Sequence, residues 1–212
     1  MPKIRGRGDA KAMQRYTDSM QPAKRQVVTA AEYLARERDS GTKHELVNGE
    51  MVAMAGASVL HNLLSVNIGA ALRAMLAGKP CIVLSSDQRV HIPASGLFAY
   101  PDVTVVCGRP EFHPEDDQTL VNPKVIVEVL SDSTEAYDRG AKFSHYQSLA
   151  SFEEYVLVST RDQRVEHYRR QGAGRWLLTV HTEADAQIAF PALGGAVTLA
   201  EVYEKSDAVS AE

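Results

Sequence analysis

The sequence predicts a mixed α/β fold, α+β in character, built around one mixed β-sheet. Apolar residues recur at a spacing near 3.6 across residues 58–78, which is typical of an amphipathic helix. Residues 124–131 and 154–160 are short runs rich in Val, Ile and Leu, typical of buried strands, and residues 134–150 between them favour a helix. A strand, a helix and a second strand form a βαβ unit, so the two strands are expected to be parallel.

The N-terminal part of this fold is predicted to hold a helix and a β-hairpin. Thr29 is suited to cap a helix within residues 28–38, because its side chain can accept a hydrogen bond from the first turn and good helix formers follow it. Asn48 and Gly49 stand between two short apolar runs within residues 44–56. An Asn-Gly pair in that setting is the strongest short-range signal for a hairpin.

The remaining segments complete a core of helix, three strands, helix and strand. Residues 81–92 and 100–107 are expected to be the strands that precede the one at 124–131. Residues 164–170 and 175–181 are expected to form a β extension at the C-terminal end, joined by a glycine-containing turn.

Charge is distributed unevenly along the 212 residues, whose formal net charge is −4. Residues 1–25 carry seven Lys or Arg and two Asp, whereas the rest of the chain carries 16 basic and 25 acidic residues. We expect residues 1–25 to be a disordered basic extension, residues 26–205 a single domain and residues 206–212 a disordered tail. The acidic body argues against strong non-specific DNA binding, although a basic extension could touch nucleic acid.

Composition favours a protein of the cytoplasm. The chain is 44% apolar, which supplies a core, but it has no run of 18 apolar residues, so no membrane partner is expected. Cys81 and Cys107 lie in apolar, strand-like segments and lack the spacing of a metal pair or a disulfide framework. We therefore expect both to be reduced core residues.

Two carboxylates are predicted to meet in the sheet. Glu128 stands among Val, Ile and Leu residues, where an ionised carboxylate is costly unless a partner compensates it. Antiparallel pairing of its strand with the one that Asp102 opens would bring the two acids together on one face. Their repulsion would raise the pKa of one acid, and a divalent cation such as Mg²⁺ or Mn²⁺ would remove the conflict. The alternative is that Glu128 pairs with an Arg or a backbone group.

A lysine on the following helix is a further candidate. Asp138 and Lys142 are four residues apart and share a helical face with Tyr146. One interpretation points the Lys142 ammonium at the two carboxylates, where it would orient a water or offset charge on a phosphoryl group. The other is an ordinary surface ion pair.

These residues resemble a known superfamily. Pro101 and Asp102, then Glu128, then a lysine, on a core of helix, three strands, helix and strand, are similar to the PD-(D/E)XK nucleases, which share their core with restriction endonucleases. Residues 27–204 resemble more closely the bacterial Uma-type endonuclease family, long listed as a domain of unknown function. The segments that carry this resemblance are HELVNGEMVAMAGAS followed by His61, SSDQRV, YPDVTVV, VIVEVLSDST, YDRGAKF, SLASFEEYVLV and LAEVY.

The resemblance implies a metal-dependent endonuclease that hydrolyses phosphodiester bonds of nucleic acid, with DNA as the expected substrate. It implies that Asp102 and Glu128 hold Mg²⁺ or Mn²⁺. The superfamily motif has a lysine two positions after the glutamate, where this chain has Leu130. The Uma-type branch suggests that Lys142 takes that place as the third catalytic residue. Homodimers are common in this fold, so a homodimer is possible here.

Several other residues are weaker candidates for a supporting role, namely His61, Glu45, Asp87 and Asp138. His61 could replace the helix acid that completes the metal sphere in many superfamily members, or it could bond the backbone at the helix start. Glu45 could face the site or be a solvated strand acid, and Asp87 could support the site or be a bulge residue. The remaining histidines show no zinc spacing or triad pattern, namely His44, His91, His113, His145, His167 and His181.

Two other function classes stay open. The displaced lysine and the acidic body are compatible with an inactive nuclease fold that binds nucleic acid or another partner. A metal-dependent hydrolase with a different substrate is the third possibility. Metal-dependent cleavage by the purified protein separates the endonuclease from the inactive fold, and competition of the activity by duplex DNA discriminates the third class.

Overall fold

The computed structural model describes residues 27–172 and 174–209, so the predicted basic extension lies outside the described residues. Within those ranges the strands are β1 (His44–Val47), β2 (Glu50–Ala53), β3 (Cys81–Ser85), β4 (Arg89–Ile92), β5 (Leu97–Ala99), β6 (Val103–Cys107), β7 (Phe112–His113), β8 (Asp116–Leu120), β9 (Val125–Val129), β10 (Glu154–Val158), β11 (Val165–Arg170), β12 (Trp176–His181), β13 (Gln187–Phe190) and β14 (Gly195–Thr198).

The helices of the described ranges are α1 (Ala30–Arg38), α2 (Val59–Met75), α3 (residues 135–146) and α4 (Leu199–Val202). None of them is long and apolar enough to cross a membrane. A 3₁₀-helix at Ser206–Ala208 begins inside the segment expected to be a disordered tail, and residues 210–212 of that segment lie outside the description.

The central sheet has six strands in the order β12-β11-β10-β9-β6-β3. Strands β9 and β10 are parallel, as the βαβ pattern predicts, whereas β6 and β9 are antiparallel with Val103 opposite Val127. The predicted mixed sheet is therefore confirmed. Strand β3 lies at one edge of this sheet, where no other strand of the described ranges pairs with its outer backbone groups.

A second sheet was not predicted. Its six strands follow the order β2-β1-β5-β4-β8-β7, and β13 pairs with β14 as a separate hairpin. The β1–β2 hairpin is confirmed, and Asn48 and Gly49 at its turn have φ values of 51° and 78°. Positive φ at both central residues is what a two-residue turn of this kind requires, and Asn and Gly tolerate it best.

Helix α2 covers one face of the central sheet. Ser58 caps it by accepting a hydrogen bond from the His61 N–H at 3.1 Å. Leu64, Ile68 and Leu72 recur every four residues, are fully buried and belong to one apolar cluster with the inward-facing residues of β6 and β9. The apolar period read from the sequence is thus the packing surface of this helix.

The opposite face of the sheet packs against α3. Ile126 of β9 lies in a cluster with Phe143 and Tyr146 of this helix, whereas Val127 lies in the cluster on the α2 side. Side chains alternate along a strand, so Glu128 shares the face of Ile126. Pleating therefore directs the Glu128 carboxylate towards α3.

Helix α3 changes its winding in the middle. Short α-helical ends at Glu135–Tyr137 and Phe143–Tyr146 flank a π-helical segment at Asp138–Lys142. A π turn widens the helix by one residue per turn and is frequent at functional sites. The segment that departs from regular winding is the one that carries the two charged residues singled out in the sequence.

The single strand predicted at residues 81–92 is wrong. The chain forms β3 and β4 in different sheets, with a turn in which the Gln88 N–H donates to the Ser85 carbonyl at 3.0 Å. The polar residues 86–88 interrupt the apolar run and allow the chain to pass from the central sheet to the second sheet.

The expectation that Cys81 and Cys107 are reduced is also wrong, because they form a disulfide. Strands β3 and β6 are antiparallel, and their register sets Cys81 directly opposite Cys107 with 4.0 Å between the Cα atoms. The first residue of one strand thus meets the last residue of the other, although 26 positions separate them in the sequence.

Candidate active site

A buried ammonium surrounded by carboxylates lies between β9, β1 and α3. The Lys142 Nζ atom is 3.0 Å from Glu128 Oε1, 3.2 Å from Glu45 Oε1 and 3.4 Å from Asp138 Oδ1. Each acid comes from a different place in the chain: Glu128 from the central sheet, Glu45 from the hairpin and Asp138 from the π segment. One ammonium is therefore shared by three ion pairs.

Charge in this cluster is not balanced. The relative exposure of the four residues lies between 3% and 8%, so water contributes little to neutralising them. One positive charge faces three carboxylates. Burying an excess of like charge is costly, and the site can relieve it by binding protons or a cation.

The pKa values of these residues reflect the same excess of negative charge. Burial raises the pKa of Glu128 well above its ordinary value, and Asp138, Asp102 and Glu45 add to the effect of burial while Lys142 opposes it. The pKa of Asp138 is also raised, chiefly by burial. Burial alone would lower the pKa of Lys142, but the three carboxylates outweigh it and raise this pKa well above the usual value. The ammonium is therefore charged at neutral pH.

Asp102 lies at the junction of β6 and β9. Its Oδ2 atom accepts a hydrogen bond from the Val129 N–H at 2.7 Å, which extends the antiparallel ladder by one contact. Continuing the register of Val103 opposite Val127 places Asp102 beside Glu128. The expected antiparallel pairing is confirmed, and its register sets Asp102 opposite Glu128. That the two carboxylates meet at one site stays a prediction.

His61 contacts the same carboxylate. Its Nε2 atom is 3.3 Å from Asp102 Oδ2, and its Nδ1 atom is buried and has no hydrogen-bond partner among the described residues. Burial would lower the pKa of His61, but the hydrogen bond and the charge of Asp102 outweigh it and raise this pKa. Its backbone N–H donates to the Ser58 cap, as one of the two alternatives for His61 has it, while its ring contacts Asp102. A role for His61 in completing the metal sphere stays a prediction.

Two tyrosines complete the wall of the cluster. The Tyr146 hydroxyl donates to Glu128 Oε1 at 3.0 Å, and the Tyr155 hydroxyl donates to the Asp138 carbonyl at 3.0 Å. Sequence reasoning placed Tyr146 on the face of Lys142 but gave it no role, and it missed Tyr155. A signal existed for Tyr146, since it follows Lys142 by four residues.

Asp87 lies elsewhere. It sits on the turn between β3 and β4, where its side chain is 87% exposed and pairs with the Lys43 ammonium at 2.8 Å. The structure therefore shows Asp87 in a surface ion pair and not among the residues that contact Lys142.

The chain is similar to a known protein family over most of its length. A family model named Uma2, described as "Putative restriction endonuclease", matches residues 30–200. The chain belongs to this family. The match spans all four residues of the charged cluster together with Asp102 and His61.

Two relatives from Synechocystis sp. extend over most of the chain. The protein named "Uncharacterized protein sll1609" is 37% identical over 164 residues, which cover 77% of this chain and 93% of the relative. The protein named "Uncharacterized protein slr1290" is 35% identical over 157 residues, which cover 73% of this chain and 80% of the relative.

A solved structure shares the fold. The crystal structure described as "a putative nuclease belonging to DUF820" from Anabaena variabilis superposes with a TM-score of 0.69 at 15% identity, covering 84% of this chain and 99% of that one. This likeness confirms the mixed α+β, restriction-endonuclease-like fold of the Uma2 chain.

The donor set of this Uma2 protein was tested against the cation that the superfamily implies. Among residues 27–172 and 174–209, no group of three or more His, Cys, Asp or Glu side chains is arranged to hold a metal ion. Mg²⁺ does not require such a cage, because it keeps several waters and is commonly held by one or two carboxylates together with substrate phosphates. Asp102 and Glu128, which the register sets opposite each other on neighbouring strands, supply two carboxylates of the kind that Mg²⁺ prefers.

Proposed function

We propose that this protein is a Mg²⁺- or Mn²⁺-dependent endonuclease that hydrolyses phosphodiester bonds of DNA. The observation that carries the proposal is the buried cluster in which one ammonium faces three carboxylates beside Asp102. Family membership and the nuclease-like fold support it. A structural ion pair needs only one acid for one base, so the excess of carboxylate favours a site that accepts a further cation.

Asp102 and Glu128 would hold the cation. When bound, Mg²⁺ or Mn²⁺ would offset charge on the scissile phosphate and lower the pKa of a water molecule. Asp102 is suited to this because its carboxylate is fixed by the Val129 N–H and is 16% exposed, so it borders solvent. Glu128 is held in place by Lys142 and Tyr146, which restricts its carboxylate to one orientation.

Lys142 has two tasks in this proposal. It positions Glu128, and it supplies a compact positive charge next to the reacting phosphate. Lys142 would position Glu128 until substrate binds. When the ammonium then turns from Glu128 to the attacking water or to a phosphoryl oxygen, Tyr146 still donates to Glu128, and Glu45 and Asp138 still contact the ammonium. The ammonium thus stays anchored while it acts. Lys142 would take the role of the motif lysine, whose position in this chain is occupied by Leu130.

The test is a cleavage assay with the purified protein on supercoiled plasmid and on a single-stranded circle. Nicking or linearisation is expected in Mg²⁺ or Mn²⁺ and not in EDTA. Asp102→Asn should lower the rate at least a hundredfold while the protein stays folded. Binding without cleavage in every metal would instead favour an inactive nucleic-acid-binding module, and cleavage that is equal in wild type and Asp102→Asn would reject this site.

A further inference from the structure

A cavity of about 340 Å³ opens beside Asp102, between α2 and the edge strand β3. One wall is a stripe of α2 that runs from Asn62 through Ser65 and Gly69 to Arg73. The Asn62 end lies next to His61, which contacts Asp102. Arg73 is eleven positions further along the helix, or roughly 16 Å at the usual rise per residue.

The cavity wall is suited to a phosphate backbone. Residues 59–75 of α2 contain no Asp or Glu, so this wall does not repel an anion. Arg73 has no ion pair or hydrogen bond with any residue in the described ranges, and its charge is available to a ligand. The hydroxyl oxygen of Ser65, which also lines the cavity, is buried and has no hydrogen-bond partner within the part of the chain that the structure describes.

The residues that line the cavity also limit which part of a nucleic acid it can recognise. Besides Asn62, Arg73 and Asp102 the lining contains small, aliphatic and hydroxyl side chains, and among the described residues it has no aromatic one. Asp102 is the one acid of this described lining, and it lies at the end where the proposed cation would offset its charge. Proteins usually bind the bases of a single strand by stacking them on aromatic rings. Without such rings, binding in this cavity depends on the nucleic-acid backbone and is largely independent of base sequence. The volume lies at the low end of ligand cavities and admits one strand but not a duplex.

We propose that this cavity holds the backbone of one nucleic-acid strand next to the scissile phosphate, with Arg73 contacting a phosphate about two units away from Asp102. The inference rests on the proposed function and specifies its substrate, because a site that takes one strand prefers single-stranded DNA, or a single-stranded segment beside a duplex, to an intact duplex. Arg73 is a binding residue in this account and does not touch the reacting atoms.

The test measures strand binding separately from cleavage, by fluorescence anisotropy of a labelled single-stranded oligonucleotide in Ca²⁺. Arg73→Glu places an acid on the wall, and Ala70→Phe fills the cavity from an exposed helix position. Arg38→Glu is the matched control, because Arg38 is likewise an exposed arginine in the last turn of a helix, but it lies on α1. Circular dichroism checks that each variant is folded.

Wild type should bind the single strand more tightly than the duplex of the same sequence. Arg73→Glu and Ala70→Phe should each weaken binding about tenfold or more, and Arg38→Glu should change it less than about twofold. Replacing Arg73 with Ala should also make the slope of log K against log salt less steep by about 0.7, the value for one lost phosphate contact on a single strand.

Equal binding by wild type, Arg73→Glu and Ala70→Phe would overturn the inference, and so would tighter binding of the duplex. The outcomes also separate this inference from the proposed function. Binding that depends on Arg73 without any metal-dependent cleavage supports the cavity and rejects the hydrolase, whereas cleavage and binding unaffected by Arg73→Glu and Ala70→Phe support the hydrolase and reject the cavity.

Discussion

Removing the Lys142 ammonium should cost far more stability than removing the Glu128 charge. Lys142→Met keeps the length of the side chain but leaves Glu45, Glu128 and Asp138 buried without their shared cation. Breaking a buried ion pair from one side costs about 3–5 kcal/mol. Glu128→Gln leaves the ammonium with two carboxylates, and the Gln oxygen can still accept from Tyr146. The excess negative charge falls, so the change in unfolding free energy should be within about 1 kcal/mol.

The assay is urea unfolding of metal-free protein at pH 8 and pH 5, with the slope m compared between variants to check that the transition is the same. The pKa values of Glu128 and Asp138 are raised in the folded state. The stability that these two acids contribute is therefore complete below their unfolded pKa of about 4, and it is lost as the pH rises through their pKa values in the folded state. Without the ammonium these pKa values rise further. The penalty of Lys142→Met should therefore be larger at pH 8 than at pH 5.

The comparison between the two variants decides the role of Glu128. If Glu128→Gln destabilised the metal-free protein by as much as Lys142→Met, then Glu128 would be the one-to-one structural partner of the lysine. The excess of carboxylates would then not indicate a cation site. A penalty for Lys142→Met that did not change with pH would show that the carboxylates do not take up protons when the ammonium is lost.

Three further predictions concern the cation and the disulfide. Mg²⁺ should raise the thermal midpoint of wild type, because a ligand that binds only the folded state stabilises it. Asp102→Asn should remove most of that rise, and equal rises in wild type and variant would exclude Asp102 as a main ligand. The rise should be larger at pH 8 than at pH 5, because the raised pKa of Glu128 means that a proton competes with the cation, and a pH-independent rise would argue against Glu128 as a ligand. Cys81→Ser, which opens a loop of 26 residues, should lower unfolding free energy by about 3.5 kcal/mol under non-reducing conditions, and an unchanged urea midpoint would show that the bond contributes nothing.

The sequence predicted the part of the site that depends on strand order. A buried strand on either side of a helix required a parallel pair, and the antiparallel neighbour then had to place Asp102 near Glu128. Helical spacing put Lys142 and Asp138 on one face. These inferences succeeded because they follow from backbone periodicity and chain connection, which local sequence encodes.

Other features depend on contacts that local sequence does not encode. Glu45 reaches Lys142 because the hairpin packs against α3, and no pattern within the hairpin distinguishes it from a solvated acid. The π segment at Asp138–Lys142 looks like ordinary helix in the sequence. Residues 81–92 read as one strand because the apolar residues on both sides of the turn suit a strand equally well.

The disulfide could not be predicted from the sequence for a different reason. Spacing along the chain carries no information about a cross-strand pair, and the two cysteines look unrelated by that measure. The antiparallel register of β3 and β6, which sets Cys81 opposite Cys107, would have revealed the pair. A prediction of which strands pair, and not of strand positions alone, was the missing step.

The central claim is that Asp102 and Glu128 hold a divalent cation beside Lys142. Its most direct test is the anomalous difference density of crystals soaked in Mn²⁺. We predict one peak that contacts both carboxylates, with the Lys142 ammonium still within hydrogen-bonding distance of Glu45 or Asp138. The absence of a peak at Asp102 and Glu128 in manganese-saturated crystals, or a peak at other residues only, would contradict the account.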